Sequence, residues 1–171
     1  MLKRVLITSF TKQLSTLSLF LYSFSGQLCL DTGGDAIVVP TILVSPDDQV
    51  SSDSVTSFKA GMESTYILFE DGTVDACGRN NFGQLGDGSL VDSFGTEVSI
   101  DDNIVYIGSS SSSQSTYLVS AEGGVYGTGL NDRGQLGVGD TDNRNTPVIV
   151  VFPSLAIVVD VSASNTHSVA R

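Results

Sequence analysis

Gly129-Leu130-Asn131-Asp132-Arg133-Gly134-Gln135-Leu136-Gly137-Val138-Gly139-Asp140 decides the fold, because Gly78-Arg79-Asn80-Asn81-Phe82-Gly83-Gln84-Leu85-Gly86-Asp87-Gly88 nearly repeats it. Gly134 falls 51 residues after Gly83. Recurrence at one spacing marks a chain built from copies of one supersecondary unit. The repeat positions are Gly78, Asn80, Gly83, Gln84, Leu85 and Gly86 in the first copy, and Gly129, Asn131, Gly134, Gln135, Leu136 and Gly137 in the second. Gly26-Gln27-Leu28-Cys29-Leu30-Asp31 reads as a worn earlier copy.

The flanks of the two copies also correspond. Val55 to Ala60 and Thr65-Tyr66-Ile67-Leu68-Phe69 read as strands, and Asp71-Gly72 is a hairpin signal of the type I′ kind. Thr73 to Cys77 returns, and Gly78 ends the strand. The second unit keeps the order. Ile104 to Ile107 and Thr116 to Val119 are its first strands, Glu122-Gly123 its turn, and Val125 to Thr128 its return. Pro147 to Val151 is an outer strand like the one around Pro40. The third unit opens with Val158 to Val161 and Thr166 to Ala170, and it is cut at Arg171. The run Ser109 to Ser113 reads as a slack loop that absorbs about two extra residues. Units of about 50 residues with four short strands predict an all-β fold, a partial β-propeller of about three blades. The repeat region covers residues 26–171, in approximate units 26–77, 78–128 and 129–171.

Within a unit the residue types divide the work. One twisted sheet cannot bury both its faces alone, so neighbouring blades must cover it. Leu85 and Leu136 are the expected anchors of their loops. Gln84 and Gln135 can tie loop backbone groups, and Asn80 and Asn131 suit tight turns.

Composition excludes several classes. Hydrophobic residues make up 40% of the 171, which is too many for a disordered chain. The net charge is −11, although Lys3, Arg4 and Lys12 sit in an acid-free opening. So acidic a surface repels phosphate backbones, and no nucleic-acid partner is expected. Residues 1–25 read either as a signal peptide, basic then apolar, or as a degenerate leading segment; the apolar run is too short for a membrane span. A cytoplasmic location is favoured, and a secreted one follows if 1–25 are a signal. Cys29 and Cys77 form no Cys-x-x-Cys pattern and are expected to be free and half buried.

Gly-x-Asn-x-x-Gly-Gln-Leu-Gly, followed by Gly-Asp, a polar loop and Pro-Val-x-Val, resembles the repeats of the regulator of chromosome condensation family. Gly129 to Val150 follows that pattern almost throughout, Gly78 to Gly88 well, and His167-Ser168-Val169-Ala170 resembles the family's His-Thr-x-Ala segment. There are departures. Cys77 and Thr128 stand where the family has an aromatic residue, Ser64 and Ser115 where it has His, and the outer-strand proline is missing around Gly95-Thr96. The family closes a ring of about seven blades, which takes about 350 residues, so the resemblance implies a fragment too short to close the ring.

No residue pattern spells out catalysis. His167 is the only histidine, and no Gly-x-Ser-x-Gly elbow accompanies it. Asp140-Thr141-Asp142-Asn143 lacks the glycine and final glutamate of a calcium loop. The glycine loops do not run from strand to helix as phosphate-binding loops do. The expectation is a non-enzymatic repeat protein without cofactor or metal, a scaffold for an unidentified protein partner. The alternative that the resemblance implies is a guanine-nucleotide exchange factor-like regulator of a small GTPase.

Overall fold

Residues 55–152 and 157–171 are described by the computed structural model of the chain. Expectations that fall on residues 1–54, including the possible signal, the worn glycine copy and the Pro40 strand, lie outside them. All ten elements are strands. Four of them, β1 (Val55–Ala60), β2 (Ser64–Phe69), β3 (Val74–Gly78) and β4 (Ser93–Glu97), form one antiparallel sheet in that order. Another four, β5 (Ile104–Gly108), β6 (Ser115–Ser120), β7 (Val125–Gly129) and β8 (Arg144–Ile149), form a second sheet in the same order. A hairpin of β9 (Val161–Ala163) and β10 (Ser168–Ala170) begins a third.

The hydrophobic cores lie between sheets rather than within them. Tyr66, Leu68, Val74, Ala76, Leu85 and Val98 of the first sheet region pack with Ile104, Ile107 and Leu118 of the second. One step along, Tyr117, Val119, Val125 and Leu136 pack with Val158, Val161 and Ala163. The split across β6 follows from strand alternation: Leu118 joins the first core, while Tyr117 and Val119 on the opposite face join the second. Both faces are covered, so Ser-Thr-Tyr-Leu-Val-Ser is buried at every position.

Several readings are refined. The hairpin turns are three-residue loops, not two-residue type I′ turns. The Phe69 amide donates to Thr73 O and the Gly72 amide to Phe69 O, and the Ser120, Gly124 and Gly123 backbone repeats the arrangement. This needs positive φ only at Gly72 and Gly123, with values of 85° and 84°, while Asp71 instead accepts from the Thr73 amide and hydroxyl. β4 forms without proline, with one register shift against β3 between Ala76 and Gly78. The serine run is not wholly slack: Ser113 is buried, exchanges hydrogen bonds with Ser115, and its carbonyl accepts the Met62 amide of the preceding sheet at 3.0 Å. The third unit's first strand is shorter than expected, since Val158 to Asp160 are not strand, although Val159 and Asp160 bond the Arg171 backbone. Cys77 is fully buried and disulfide-bonded, which corrects the expectation of a free, half-buried thiol. Cys29 lies outside the described residues.

The close approach of one unit to the next depends on Gly83. A Cβ there would lie 2.4 Å from the Cα of Asn145 and 2.6 Å from Arg144 O, both backbone atoms of β8. Its counterpart Gly134 has nothing nearer than 3.7 Å, and both have positive φ, 81° and 71°. Gly134→Ala is therefore expected to cost only the left-handed strain, about 1–2 kcal/mol. Gly83→Ala adds a backbone clash, for a total of about 2–5 kcal/mol. Urea unfolding of the two variants side by side measures the gap, and equal losses would contradict the packing described.

Candidate interaction surface at the glycine-loop rim

Gly78 and Gly129 end β3 and β7, and the loops that follow contain the other ten repeat positions. Both begin with an asparagine that is wholly inaccessible to solvent. The Asn80 side-chain carbonyl accepts the Leu85 amide at 2.9 Å, and its Nδ2 donates to Asp87 Oδ1, Ser89 Oγ and Ser89 O at 3.1–3.3 Å. Asn131 accepts the Leu136 amide at 2.9 Å and donates to the Asp140 and Asp142 carbonyls at 3.0 Å. Only an amide of this length offers an acceptor to one side of the loop and two donors to the other. The asparagines' own amides are held from further along, by Asp92 Oδ1 and Asn143 Oδ1, each at 2.8 Å. Gln84 and Gln135 close the next turn, accepting the Phe82 and Arg133 amides at 3.0 and 2.9 Å. Leu85 and Leu136 then drop into the two cores with no exposed surface.

Four further residues hold the loops. The Tyr66 hydroxyl donates to Gln84 O at 2.8 Å, and the Tyr117 hydroxyl donates to Gln135 O in the next unit. Burial pushes the Tyr66 phenol up to about 12, outweighing the opposing hydrogen bonds from Ser64 and Thr116. Thr128 Oγ1 lies 2.8 Å from Gly83 O and 2.9 Å from Arg144 O, so it joins the loop of one sheet to the outer strand of the next. Ser168 reaches Gln135 O at 2.9 Å from the third unit. The signal for the tyrosines was in the sequence, since Tyr66 and Tyr117 stand at the same 51-residue offset as the glycines.

What remains on the outside differs between copies. Asn81 and Phe82 in one loop correspond to exposed Asp132 and Arg133 in the other, and exposed Leu90 and Val91 to exposed Thr141 and Asp142. Among the described residues, no group of three or more His, Cys, Asp or Glu side chains is arranged to hold a metal ion. Nor is any helix there long and apolar enough to cross a membrane. His167 touches Thr166 Oγ1 at 3.4 Å and is exposed. The Asp140-to-Asn143 run is occupied in tying its own loop, with Arg144 ion-paired to Asp140 at 2.5 Å.

Comparison with known proteins bears on this rim. Residues 122–171 and 55–84 each match the regulator of chromosome condensation (RCC1) repeat. The human X-linked retinitis pigmentosa GTPase regulator is 34% identical over 123 residues, 70% of this chain and 12% of that protein. The Arabidopsis thaliana ultraviolet-B receptor UVR8 is 32% identical over 116 residues, 64% of this chain and 25% of the receptor. The human probable E3 ubiquitin-protein ligase HERC3 is 27% identical over 141 residues, 81% of this chain and 13% of the ligase. The chain thus spans a quarter or less of the length of these curated relatives. In fold it is similar to yeast RCC1 (Prp20) as crystallised with Kap60, with a TM-score of 0.73 at 20% identity, over 86% of this chain and 36% of that one.

The outer strand of the first sheet carries an electrostatic tension. Asp75 on β3 stands directly across from Glu97 on β4. Partial burial raises the Asp75 carboxyl above its usual range, and the Glu97 and Asp71 charges raise it further. The folded state therefore holds the Asp75 proton more tightly than the unfolded chain does. That contribution is complete below the ordinary carboxylate pKa and is lost as pH rises through the raised value. Asp75→Asn is accordingly expected to be more stable than the parent at pH 7, with the difference shrinking on acidification. Chemical unfolding at a series of pH values between 3 and 7 tests it, and a constant or reversed difference would rule it out.

Proposed function

Because the chain carries repeats of the regulator of chromosome condensation family, we propose that it is a non-enzymatic interaction scaffold whose glycine-loop rim engages a protein partner. The observation that carries this reading is the division of labour within the loops. The recurring side chains are consumed inside, while the outward residues change from copy to copy. Rigid elements that present variable loops are the usual basis of recognition. The relatives support the same reading: a regulator, a receptor and a ligase each match this chain over a quarter or less of their own length.

A second reading, regulation of a small GTPase, draws on the one relative named as a GTPase regulator and on a similar yeast structure reported with its binding properties to Gsp1p. The scaffold reading ranks first because the chain spans so small a part of those proteins.

One preparation separates the two. With a photo-crosslinking residue at Asp132 or Arg133 of the full chain in its native cells, mass spectrometry is expected to identify discrete partner adducts at the rim and none from a crosslinker at buried Leu118. Absence of rim adducts would sink the scaffold reading. Accelerated release of labelled GDP from a Ran-type GTPase by the same purified chain would move the second reading to first.

A further inference from the structure

The two complete sheets are copies of one another, so a place where they differ carries information. Their outer strands differ at the edge that no other strand of the described residues pairs. The Val98 amide donates inward to Val74 O at 2.9 Å, and the Val150 amide inward to Val125 O at 2.8 Å. In an antiparallel strand, residues alternate between facing the paired neighbour and facing away. Glu97 in β4 and Ile149 in β8 are thus positions that face away from the sheet, while Gly95 and Pro147 stand at the register shift that each outer strand makes, between Ala76 and Gly78 and between Gly127 and Gly129. The registers agree from Thr96 and Val148 onward, since Thr96 pairs with Ala76 as Val148 pairs with Gly127, whereas β8 has one residue more than β4 between those bridges and the ones at Arg144 and Ser93. At Pro147 the edge of β8 has no amide to offer, which is a known device against a further strand. One residue before the matching bridge β4 has Gly95, whose amide bonds Ser93 Oγ of its own strand at 3.2 Å, and a Cβ there would find no atom of the described residues within 4 Å.

The surroundings of that edge differ in the same sense. Phe94 is 48% exposed, Leu90 58% and Val91 71%. Their counterparts in the second sheet are polar, and Asn145, opposite number of Phe94, is bonded to Gly88 O at 2.7 Å. Acids line the rest. Asp92 and Glu97 are exposed, and a shallow groove of about 420 Å³, lined by Glu97, Val98, Ser99, Ile100 and Asp101, continues from the end of the strand. Among the described residues, the four ion pairs use Glu63, Asp132, Asp140 and Asp160, so none neutralises these acids.

We propose that the edge of β4 accepts an extended polypeptide segment in which basic and apolar side chains alternate, adding a fifth strand to the first sheet. The proposal deepens the scaffold reading and rests on it. Main-chain bonds at Gly95 and Glu97 supply the pairing, as in other strand additions. Leu90, Val91 and Phe94 take the apolar side chains, while Glu97 and Asp101 take Lys or Arg. The uncompensated acids select a basic segment over an acidic one.

A fluorescent Lys-Val-Lys-Val-Lys-Val-Lys peptide titrated with the full chain tests it by anisotropy. Saturable binding is expected, weakened at least about tenfold by Gly95→Pro, which is about 1.4 kcal/mol. The matching Glu-Val peptide is expected not to bind. If circular dichroism shows that Gly95→Pro unfolds, Glu97→Lys at an exposed position takes its place, and it is expected to reject the basic peptide. Unchanged binding by the folded variant, absence of saturable binding, or equal binding of the acidic peptide overturns the proposal. So does an edge used only by a second copy, seen as a dimer that Gly95→Pro dissociates while no peptide binds. The two readings fail separately: rim adducts that persist with no peptide binding leave the scaffold and remove the edge site, whereas edge-dependent peptide binding without rim adducts does the reverse.

Discussion

The structure depends on one buried amide per unit. The inner part of each glycine loop, around Asn80 to Leu85 and Asn131 to Leu136, packs against the sheets, and its buried polar groups need partners inside the protein. The side chains of Asn80 and Asn131 satisfy groups on both arms of their loops at once. An aspartate has the length but no donor, and a glutamine has the donors but one methylene too many. Once the asparagine fixes the loop, the leucine five residues on has a single direction to go, which is down into the inter-sheet core. The core and the loop are therefore not independent features. Loss of the amide leaves several backbone groups unpaired, each costing about 1–3 kcal/mol, and also releases the leucine.

From this follows the way the units join. Each core belongs to two sheets, so no sheet is stable alone, as in other arrays built by stacking. The joints repeat as well. A tyrosine hydroxyl binds the glutamine carbonyl of its own loop, and a Ser or Thr of the next unit meets it there, as Ser168 does at Gln135. Thr128 adds a bond that Cys77, its counterpart 51 residues earlier, does not make in the same way, because Cys77 is disulfide-bonded instead. One position of the blade can thus be served by different chemistry, provided that the residue is small enough for the crowded joint and finds a partner.

How much of this was legible in the sequence depends on how local the cause is. The strands β1, β2, β3, β5, β6 and β7 could be read within a residue or so, because β-branched runs bounded by glycine reflect short-range preferences. β4 was harder, since Ser-Phe-Gly-Thr-Glu has neither proline nor a β-branched run, and it is held in place by its neighbour β3. The turns at Gly72 and Gly123 were placed correctly, but the one at Gly72 was typed wrongly, because a dipeptide signal does not say which flanking residues pair. In the loops, glycine, asparagine and leucine announced themselves by recurring. The bond from Tyr66 to Gln84 did not, since it joins residues 18 apart through the fold, and only the shared offset of Tyr117 hinted at it. The disulfide at Cys77 had no sequence signal, because two isolated cysteines are equally compatible with thiols.

The same internal repetition separates architecture from function. A residue that recurs at the same offset and is buried in both copies is explained by the fold, and it says nothing about what the protein binds. That removes Asn80, Gln84, Leu85 and their counterparts from any list of recognition residues, however conspicuous they are in the sequence. A residue that differs between copies and is buried, such as Cys77 against Thr128, reflects a local solution to packing. The informative class is what differs and is exposed, and it includes the tips Asn81-Phe82 against Asp132-Arg133 and the stretch Leu90 to Gly95 against its polar, proline-bearing equivalent. An array that spends its recurring side chains on its own joints distinguishes partners through exposed positions that differ from copy to copy. The selectivity of such a chain therefore lies where its repeats are least alike.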